Sequence, residues 1–169
     1  DYSKKYFDLK NSLLKDINFN KLQEISDEIL NCYQNDQILF CCGNGGSASI
    51  ANHLVCDQMK GVQSNTKLKP KVISLCNNIE IMTAISNDIS YEEVFSYQLN
   101  TLGNAKDILL VISSSGNSKN VLKAIETAKS KKMKIFSFTG FDGGKVKIYS
   151  DTNVNVNCYN YGIVEDMHQ

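Results

Sequence analysis

The chain contains no arginine, because all 18 of its basic residues are lysine, and 18 acidic residues balance them to a formal net charge of zero. A neutral chain argues against nucleic acid or an anionic membrane surface as the main partner. Without arginine, no guanidinium fork can grip a phosphate group. Any phosphate bound by this chain must therefore be held by hydroxyl groups, backbone N–H groups or lysine.

Long apolar runs are also absent, since no stretch reaches the roughly 18 residues that a membrane-spanning helix needs. No secretory signal peptide is visible, although the sequence begins at Asp1 rather than methionine, so a removed segment stays an open alternative. The six cysteines lack zinc-finger spacing, and Cys41 and Cys42 lie within an apolar run. We therefore expect buried free thiols and a cytoplasmic protein.

A glycine-rich turn follows the first apolar run, at the point where a strand over 37–42 is predicted to end. The turn reads Gly-Asn-Gly-Gly from residue 43, and a helix is predicted from about Ser47. Glycine allows unusual φ values and a close approach of the backbone to a ligand. A helix start presents free N–H groups and the positive end of the helix dipole to an anion. Anion binding is therefore predicted at Asn44, Gly45, Gly46 and Ser47.

A second segment repeats this plan. The apolar run 108–112 leads into Ser113, Ser114 and Ser115, then Gly116, Asn117 and Ser118, and a helical pattern follows. The four serines offer hydroxyl and N–H donors to phosphate oxygens. Two strand–turn–helix units of this kind in one small chain indicate a phosphorylated, polyhydroxylated ligand.

Five strand candidates alternate with helical patterns, which predicts an α/β fold: a doubly wound, five-stranded parallel sheet flanked by helices. Two further helices, near 2–15 and 20–34, precede the sheet pattern. A chain of 169 residues is large enough for one hydrophobic core. Ligands of such sheets bind at the carboxyl ends of the strands. The strands are predicted over 37–42, 72–75, 108–113, 134–138 and 153–158.

The chain resembles the sugar isomerase (SIS) domain family, and within it the phosphoheptose isomerases. The resemblance runs from about residue 22 to 169 and rests on five motifs in order, at 43–53, 86–88, 112–124, 139–145 and 165–168. It implies one SIS domain over 1–169, with oligomerisation helices in 1–35 and a phosphosugar-binding core in 36–169. It further implies a homotetramer that converts sedoheptulose 7-phosphate to D-glycero-D-manno-heptose 7-phosphate, for lipopolysaccharide or capsule heptose.

The resemblance also implies a metal and catalytic set. His53 and Asp57 occupy the positions of a histidine metal ligand and of a glutamate that is both ligand and base, with aspartate replacing glutamate here. Glu165 occupies the position of a glutamine that contacts metal and substrate. The implied cofactor is Zn²⁺ held by His53, Asp57 and Glu165, with Asp57 and Glu165 catalytic. From spacing alone, an i,i+4 surface pair is the favoured interpretation of His53 and Asp57, and their position beside the glycine turn favours a site.

Three further positions keep two interpretations each. Asn87 and Asp88 resemble the sugar-contacting pair of the family, but a helix end and turn would also use them. His168 shares a helix face with Glu165, and a solvated or interface histidine is the favoured interpretation. The family's general-acid histidine would fall beyond Gln169. Two other functions stay open: a non-catalytic phosphosugar-binding module, and an isomerase of another sugar phosphate.

Overall fold

A computed structural model describes residues 1–169 and contains one five-stranded sheet in the order β2-β1-β3-β4-β5, with every neighbouring pair parallel. The predicted fold class is confirmed, and each predicted strand lies within about two residues of its observed position. The strands are β1 (Ile38–Cys42), β2 (Lys71–Ser74), β3 (Ile108–Ser113), β4 (Lys134–Gly140) and β5 (Thr152–Val156).

Nine α-helices surround the sheet. None of them has the combination of length and apolar character that crossing a bilayer would require. The helices are α1 (Tyr2–Leu14), α2 (Phe19–Gln34), α3 (Gly46–Cys56), α4 (Gln63–Asn65), α5 (Ile79–Asp88), α6 (Ser96–Leu102), α7 (Lys119–Ser130), α8 (Gly144–Tyr149) and α9 (Tyr161–His168).

The centre of the sheet is apolar because helices cover both of its faces. All six residues of β3 are buried, as is typical of a central strand in a parallel sheet. The helices α2, α3 and α9 pack on one side, and α6, α7 and α8 form the other layer. A cluster of 29 buried residues fills the space between these layers and the sheet.

The two donor-rich turns meet at the carboxyl ends of β1 and β3, which are neighbouring strands of this sheet. The chain leaves β1 for β2 on one side, whereas it leaves β3 for β4 on the other side. The strand order therefore reverses between β1 and β3, which are paired from Leu39 with Ile108 to Cys42 with Val111. Crevices at such a reversal are the usual ligand sites of open α/β sheets.

Two predicted helices differ from the observed ones. The helix predicted over 48–60 begins at Gly46 and changes at Asp57 into a π-helical stretch, Asp57–Val62, before α4. The helix predicted over 91–102 is a 3₁₀ turn, Tyr91–Glu93, followed by α6. Wide π-helical turns occur often at functional sites because they shift side chains out of the α-helical register.

The sequence pattern suggested that both N-terminal helices lie outside the sheet layers. The structure shows this for α1 but not for α2. Helix α2 packs on β1 and β5 and buries Ile25, Cys32 and Tyr33. Helix α1 instead packs on α9. Its Tyr6 hydroxyl donates a 2.6 Å hydrogen bond to Asp166 Oδ2, and Lys10 Nζ lies 3.1 Å from the same oxygen. These two contacts, the Tyr6 bond first, lower the pKa of Asp166.

All six cysteines are free, as predicted, and four of them are buried. Burial raises the pKa of Cys41 to about 12, so its thiol stays protonated and unreactive at neutral pH. The prediction of burial is wrong for Cys56, which is exposed, and for Cys158, which is half-buried.

Candidate active site

The two turns that follow β1 and β3 form one open cavity of about 280 Å³. Nine of its ten lining residues are among those predicted from the sequence to bind substrate. The tenth is Tyr161, at the start of α9. The lining residues are Asn44, Gly45, Gly46, Ser47, Ser113, Ser114, Ser115, Ser118, Tyr161 and Glu165.

Glycine shapes both turns. Gly45, at φ 56°, is the N-cap of α3, and Gly116 reaches φ 64° in the second turn. Residues with a Cβ atom rarely adopt this left-handed region. At Gly116 a Cβ would also collide with the backbone of Gly143, 2.6 Å from its carbonyl carbon. Both turns can therefore bring their backbone close to a ligand only with glycine at these positions.

Several donors in the cavity are free to bind a ligand. The Ser114 hydroxyl is buried and has no hydrogen-bond partner. Ser118 is the N-cap of α7, yet its side chain makes no capping bond. The start of α7 therefore offers uncapped N–H groups and the positive end of its dipole to an anion. A buried hydroxyl without a partner is costly to leave unpaired, which favours a polar ligand here.

Glu165 also lines this cavity, where it lies against the first turn of α3. A Cβ atom at Gly46 would lie only 2.5 Å from the carboxyl carbon of Glu165. Glu165 takes part in none of the seven ion pairs of the chain. Its carboxylate therefore borders the serine donors without a lysine partner.

His53 and Asp57 lie further along α3, where they line a second, smaller cavity of about 60 Å³ with His168 and Gln169. His53 Nε2 is 3.2 Å from Asp57 Oδ2, and both side chains are more than half exposed. The two residues therefore contact each other, as their spacing predicted, and also face a cavity. The surface-pair interpretation and the site interpretation both describe part of this arrangement.

His168 is half-buried and both of its ring nitrogens are shielded from solvent, so the interpretation as a solvated histidine is wrong, whereas an interface role stays a prediction. Neither of its ring nitrogens has a hydrogen-bond partner. Burial lowers the pKa of His168, and the nearby backbone of Thr139 opposes this shift without reaching hydrogen-bonding geometry. The ring packs 6.3 Å from that of Phe138. The neutral imidazole therefore forms part of the wall of the second cavity.

The predicted zinc site of His53, Asp57 and Glu165 is not formed within the chain. No three His, Cys, Asp or Glu side chains lie close enough together to hold one metal ion. Glu165 faces the serine donors, whereas His53 and Asp57 face the second cavity. The donor set of the single chain therefore does not fit a zinc ion. The three residues nevertheless belong to segments that are close in space, because α3 and α9 contact each other.

Asn87 and Asp88, the predicted sugar contacts, do not line the cavity of the two turns. They lie at the end of α5, where Asn87 Nδ2 donates a 2.7 Å hydrogen bond to Asp88 Oδ1. Helix α5 begins near the carboxyl end of β2, and its 10 residues extend roughly 15 Å. Asp88 instead lines a separate cavity with Tyr97 and Gln98.

Three residues near the cavity escaped the sequence analysis. Tyr161 lines it directly and packs against Phe141 at 4.9 Å in a T-shaped arrangement. Asn120 and Tyr91 contact Asn44 from α7 and from the turn after α5. The start of the last helix was a usable signal for Tyr161, but no local pattern marks Asn120 or Tyr91.

Known proteins share this architecture. A family model described as the SIS domain matches residues 2–140. A phosphoheptose isomerase of Neisseria gonorrhoeae is 38% identical over 92 residues, which are 54% of this chain and 46% of the relative, so the match spans about half of the relative's length. A solved phosphoheptose isomerase structure from Neisseria gonorrhoeae has a TM-score of 0.88 and 32% identity, covering 99% of this chain and 88% of that one.

A second solved structure, of a phosphoheptose isomerase from Francisella tularensis, gives a TM-score of 0.87 with 28% identity, again covering 99% of this chain and 88% of that chain. The family model covers well over half of the chain, and the structural match extends over 99% of it. The chain belongs to the SIS domain family.

Proposed function

We propose that the chain is an aldose–ketose isomerase that converts sedoheptulose 7-phosphate to D-glycero-D-manno-heptose 7-phosphate, in heptose biosynthesis for lipopolysaccharide or capsule. The observation that carries this proposal is the single cavity in which two helix-start turns and a carboxylate meet. The similar chains named phosphoheptose isomerase support the choice of a heptose phosphate.

We assign the phosphate to the second turn. Ser114, Ser115 and Ser118 supply hydroxyl groups there, and α7 supplies its positive end. The first turn is less suited to a dianion because the Glu165 carboxylate lies against Gly46, and like charges repel. The sugar chain therefore extends from the second turn across the cavity toward Glu165 and α3.

The reacting carbons C1 and C2 lie at the opposite end of the substrate from the phosphate on C7. The base must therefore lie away from the serine donors. Asp57 fulfils this condition because it follows the last turn of α3, whereas Ser47 lies in the first. We assign Asp57 as the base that removes a proton from C1 of the ketose, which gives an enediolate with its charge on O2.

The remaining proton transfers complete the isomerisation. A proton is delivered to O2 and one is removed from O1, and Asp57 returns its proton to C2 to give the aldose. His53 is placed to move the oxygen-bound protons because its Nε2 is 3.2 Å from Asp57. Glu165 accepts hydrogen bonds from substrate hydroxyls in the middle of the chain, which holds the carbon chain in line.

The test is isomerisation of sedoheptulose 7-phosphate in D₂O, followed by proton NMR at C1 and C2. Asp57→Asn is expected to lower kcat by about 10²- to 10⁴-fold with little change in KM. Glu165→Gln is expected to act mainly on KM. Asp16→Asn, an exposed aspartate near the end of α1, is the matched control. A larger kcat loss in Glu165→Gln than in Asp57→Asn would reverse the two assignments.

A non-catalytic phosphosugar-binding module is the second candidate. It is favoured by the separation of His53 and Asp57 from Glu165, and by the aspartate and glutamate that replace the family's residues at positions 57 and 165. A module of this kind would bind sedoheptulose 7-phosphate in calorimetry without incorporating deuterium at C1 or C2. Deuterium incorporation that Asp57→Asn abolishes would exclude it.

The assembly and location are parts of the same proposal. We propose a homotetramer built through α1 and α2, because large apolar side chains such as Phe7, Phe19 and Leu30 are exposed on these helices. The cytoplasm is the proposed location, supported by six free cysteines. The sugar phosphate is the proposed small-molecule partner.

A further inference from the structure

The side chain of Asn44, in the first turn, is held on two sides. Asn44 and Asn120 exchange two hydrogen bonds of 2.9 Å through their side-chain amides. The Tyr91 hydroxyl donates a third bond, of 2.8 Å, to Asn44 Oδ1. The backbone N–H of Val121 donates to Asn120 Oδ1, which fixes the orientation of that amide. Asn44 therefore lines the cavity in one defined position.

The segment that contains Tyr91 also contacts the start of α7, directly after the second turn. Residues Tyr91–Glu93, called here the 91–93 turn, place Glu92 Oε1 2.9 Å from Lys119 Nζ. Glu93 forms an ion pair and hydrogen bond with Lys123, one turn further along α7. The hydrogen bond from Lys123, followed by that from Ser96, lowers the pKa of Glu93. The 91–93 turn is thus joined to both helix-start turns of the cavity.

We propose that the 91–93 turn is a positioning element that fixes the spacing between the two helix-start turns of the cavity, with Tyr91 holding the first turn and Glu92 and Glu93 holding the start of α7 after the second. This inference rests on the proposed phosphate site. Tyr91 contacts Asn44, which lies 47 positions away in the sequence, and Glu92 contacts Lys119, which lies 27 positions away. These contacts therefore connect distant segments of the chain. Neither Tyr91 nor the two glutamates line the cavity of the two turns.

The exposure of Tyr91 argues against a role in the core. Its side chain is 53% exposed and belongs to neither hydrophobic cluster. A tyrosine that served only packing would bury its ring, whereas this one uses its hydroxyl to fix an amide in the cavity wall. The contribution of Tyr91 is therefore expected in ligand affinity rather than in global stability.

Tyr91→Phe removes the hydroxyl and keeps the ring. The affinity for inorganic phosphate, measured by calorimetry, is expected to fall about three- to tenfold, which is the range for one lost hydrogen bond. KM for sedoheptulose 7-phosphate should rise by the same factor, with kcat within about twofold, because phosphate is held equally in ground and transition states. Tyr97→Phe is the matched control, since Tyr97 has similar exposure and makes no side-chain hydrogen bond with the protein.

Glu93→Gln separates positioning from charge. Removing a negative charge near an anion site should strengthen phosphate binding if electrostatics alone mattered. If the 91–93 turn sets the spacing between the two helix-start turns, loss of the ion pair with Lys123 should instead weaken phosphate binding by about two- to fivefold. Glu126→Gln, on an exposed face of α7, removes the same charge without breaking an ion pair and serves as the control.

Unchanged phosphate affinity and KM in Tyr91→Phe, relative to Tyr97→Phe, would overturn the proposal. Tighter phosphate binding by Glu93→Gln would also overturn it. A fall in melting temperature with unchanged affinity would assign the 91–93 turn a purely structural role. Failure of the proposed function is distinguishable, because a wild-type chain without isomerase activity still reports on the turn through its phosphate affinity.

Discussion

Glu165 occupies the space that a side chain at Gly46 would need, so the first turn of α3 and the middle of α9 fit together only with glycine at that position. The contact joins two segments that are far apart in sequence.

Gly46→Ala is expected to displace the Glu165 carboxylate, because the end of a flexible side chain yields more easily than the backbone. The free energy of unfolding should fall by about 1–3 kcal/mol. The ratio kcat/KM should fall at least tenfold, because small misplacements of substrate-positioning groups are costly. Chemical denaturation and the isomerase assay measure the two effects.

Gly61→Ala is the control for that variant. A Cβ atom at Gly61 has no neighbour within 4 Å, and the residue lies in the π-helical stretch. The free energy of unfolding of Gly61→Ala should stay unchanged or rise by up to about 1 kcal/mol, because alanine has a higher helix propensity than glycine. Full activity and full stability in Gly46→Ala would contradict the steric argument.

The phosphate donors are tested by combining Ser115→Ala with Ser118→Ala. Each hydroxyl that binds a charged group contributes roughly 1.5–3 kcal/mol, so phosphate affinity should fall at least tenfold. Both residues line the cavity, and Ser118 caps no helix with its side chain. Ser130→Ala, at the other end of α7, should leave affinity unchanged. Equal affinity of the double variant and wild type would remove the phosphate site from the second turn.

The zinc prediction depends on residues that face different cavities. Because Glu165 does not join His53 and Asp57 within the chain, Glu165→Gln is expected to leave zinc affinity within about twofold of wild type. Chelator-treated protein should keep its phosphate affinity. Zinc titration with both variants, His53→Gln and Glu165→Gln, measures this. If the two variants weaken zinc binding equally, by tenfold or more, the predicted three-residue site exists in the assembled protein.

The tetramer proposal places the subunit contacts on α1 and α2. Leu30→Lys introduces a charge among the exposed apolar residues of α2 and should lower the mass seen in light scattering. Ile148→Lys, on α8 at the other layer of the sheet, is the control because Ile148 is 75% exposed. A wild-type monomer at micromolar concentration would contradict the proposal. A smaller assembly in Ile148→Lys alone would place the contacts on α8.

The sheet and the two donor-rich turns could be predicted because their signals are local. The apolar run before Ser113 and the glycines around Asn44 determine strand, turn and helix start within about 12 residues. The burial of the His168 ring nitrogens could not be predicted, since it depends on how α9 packs against β4. The contacts of Tyr91 and Asn120 depend equally on tertiary packing. Asn87 and Asp88 do not line the cavity of the single chain, and their role as sugar contacts stays a prediction.

The amide pair of Asn44 and Asn120 joins residues that lie 76 positions apart, across the parallel pairing of β1 with β3. Contacts of such long range form late in folding, because the chain must close a large loop before they contribute. A nascent chain that has exposed only the first turn therefore carries no complete phosphate site. A ligand that binds only the finished cavity stabilises the native state by mass action, in proportion to the logarithm of its concentration. The metabolite pool of a cell would thus influence how much of this chain is folded, as well as how much of it is occupied.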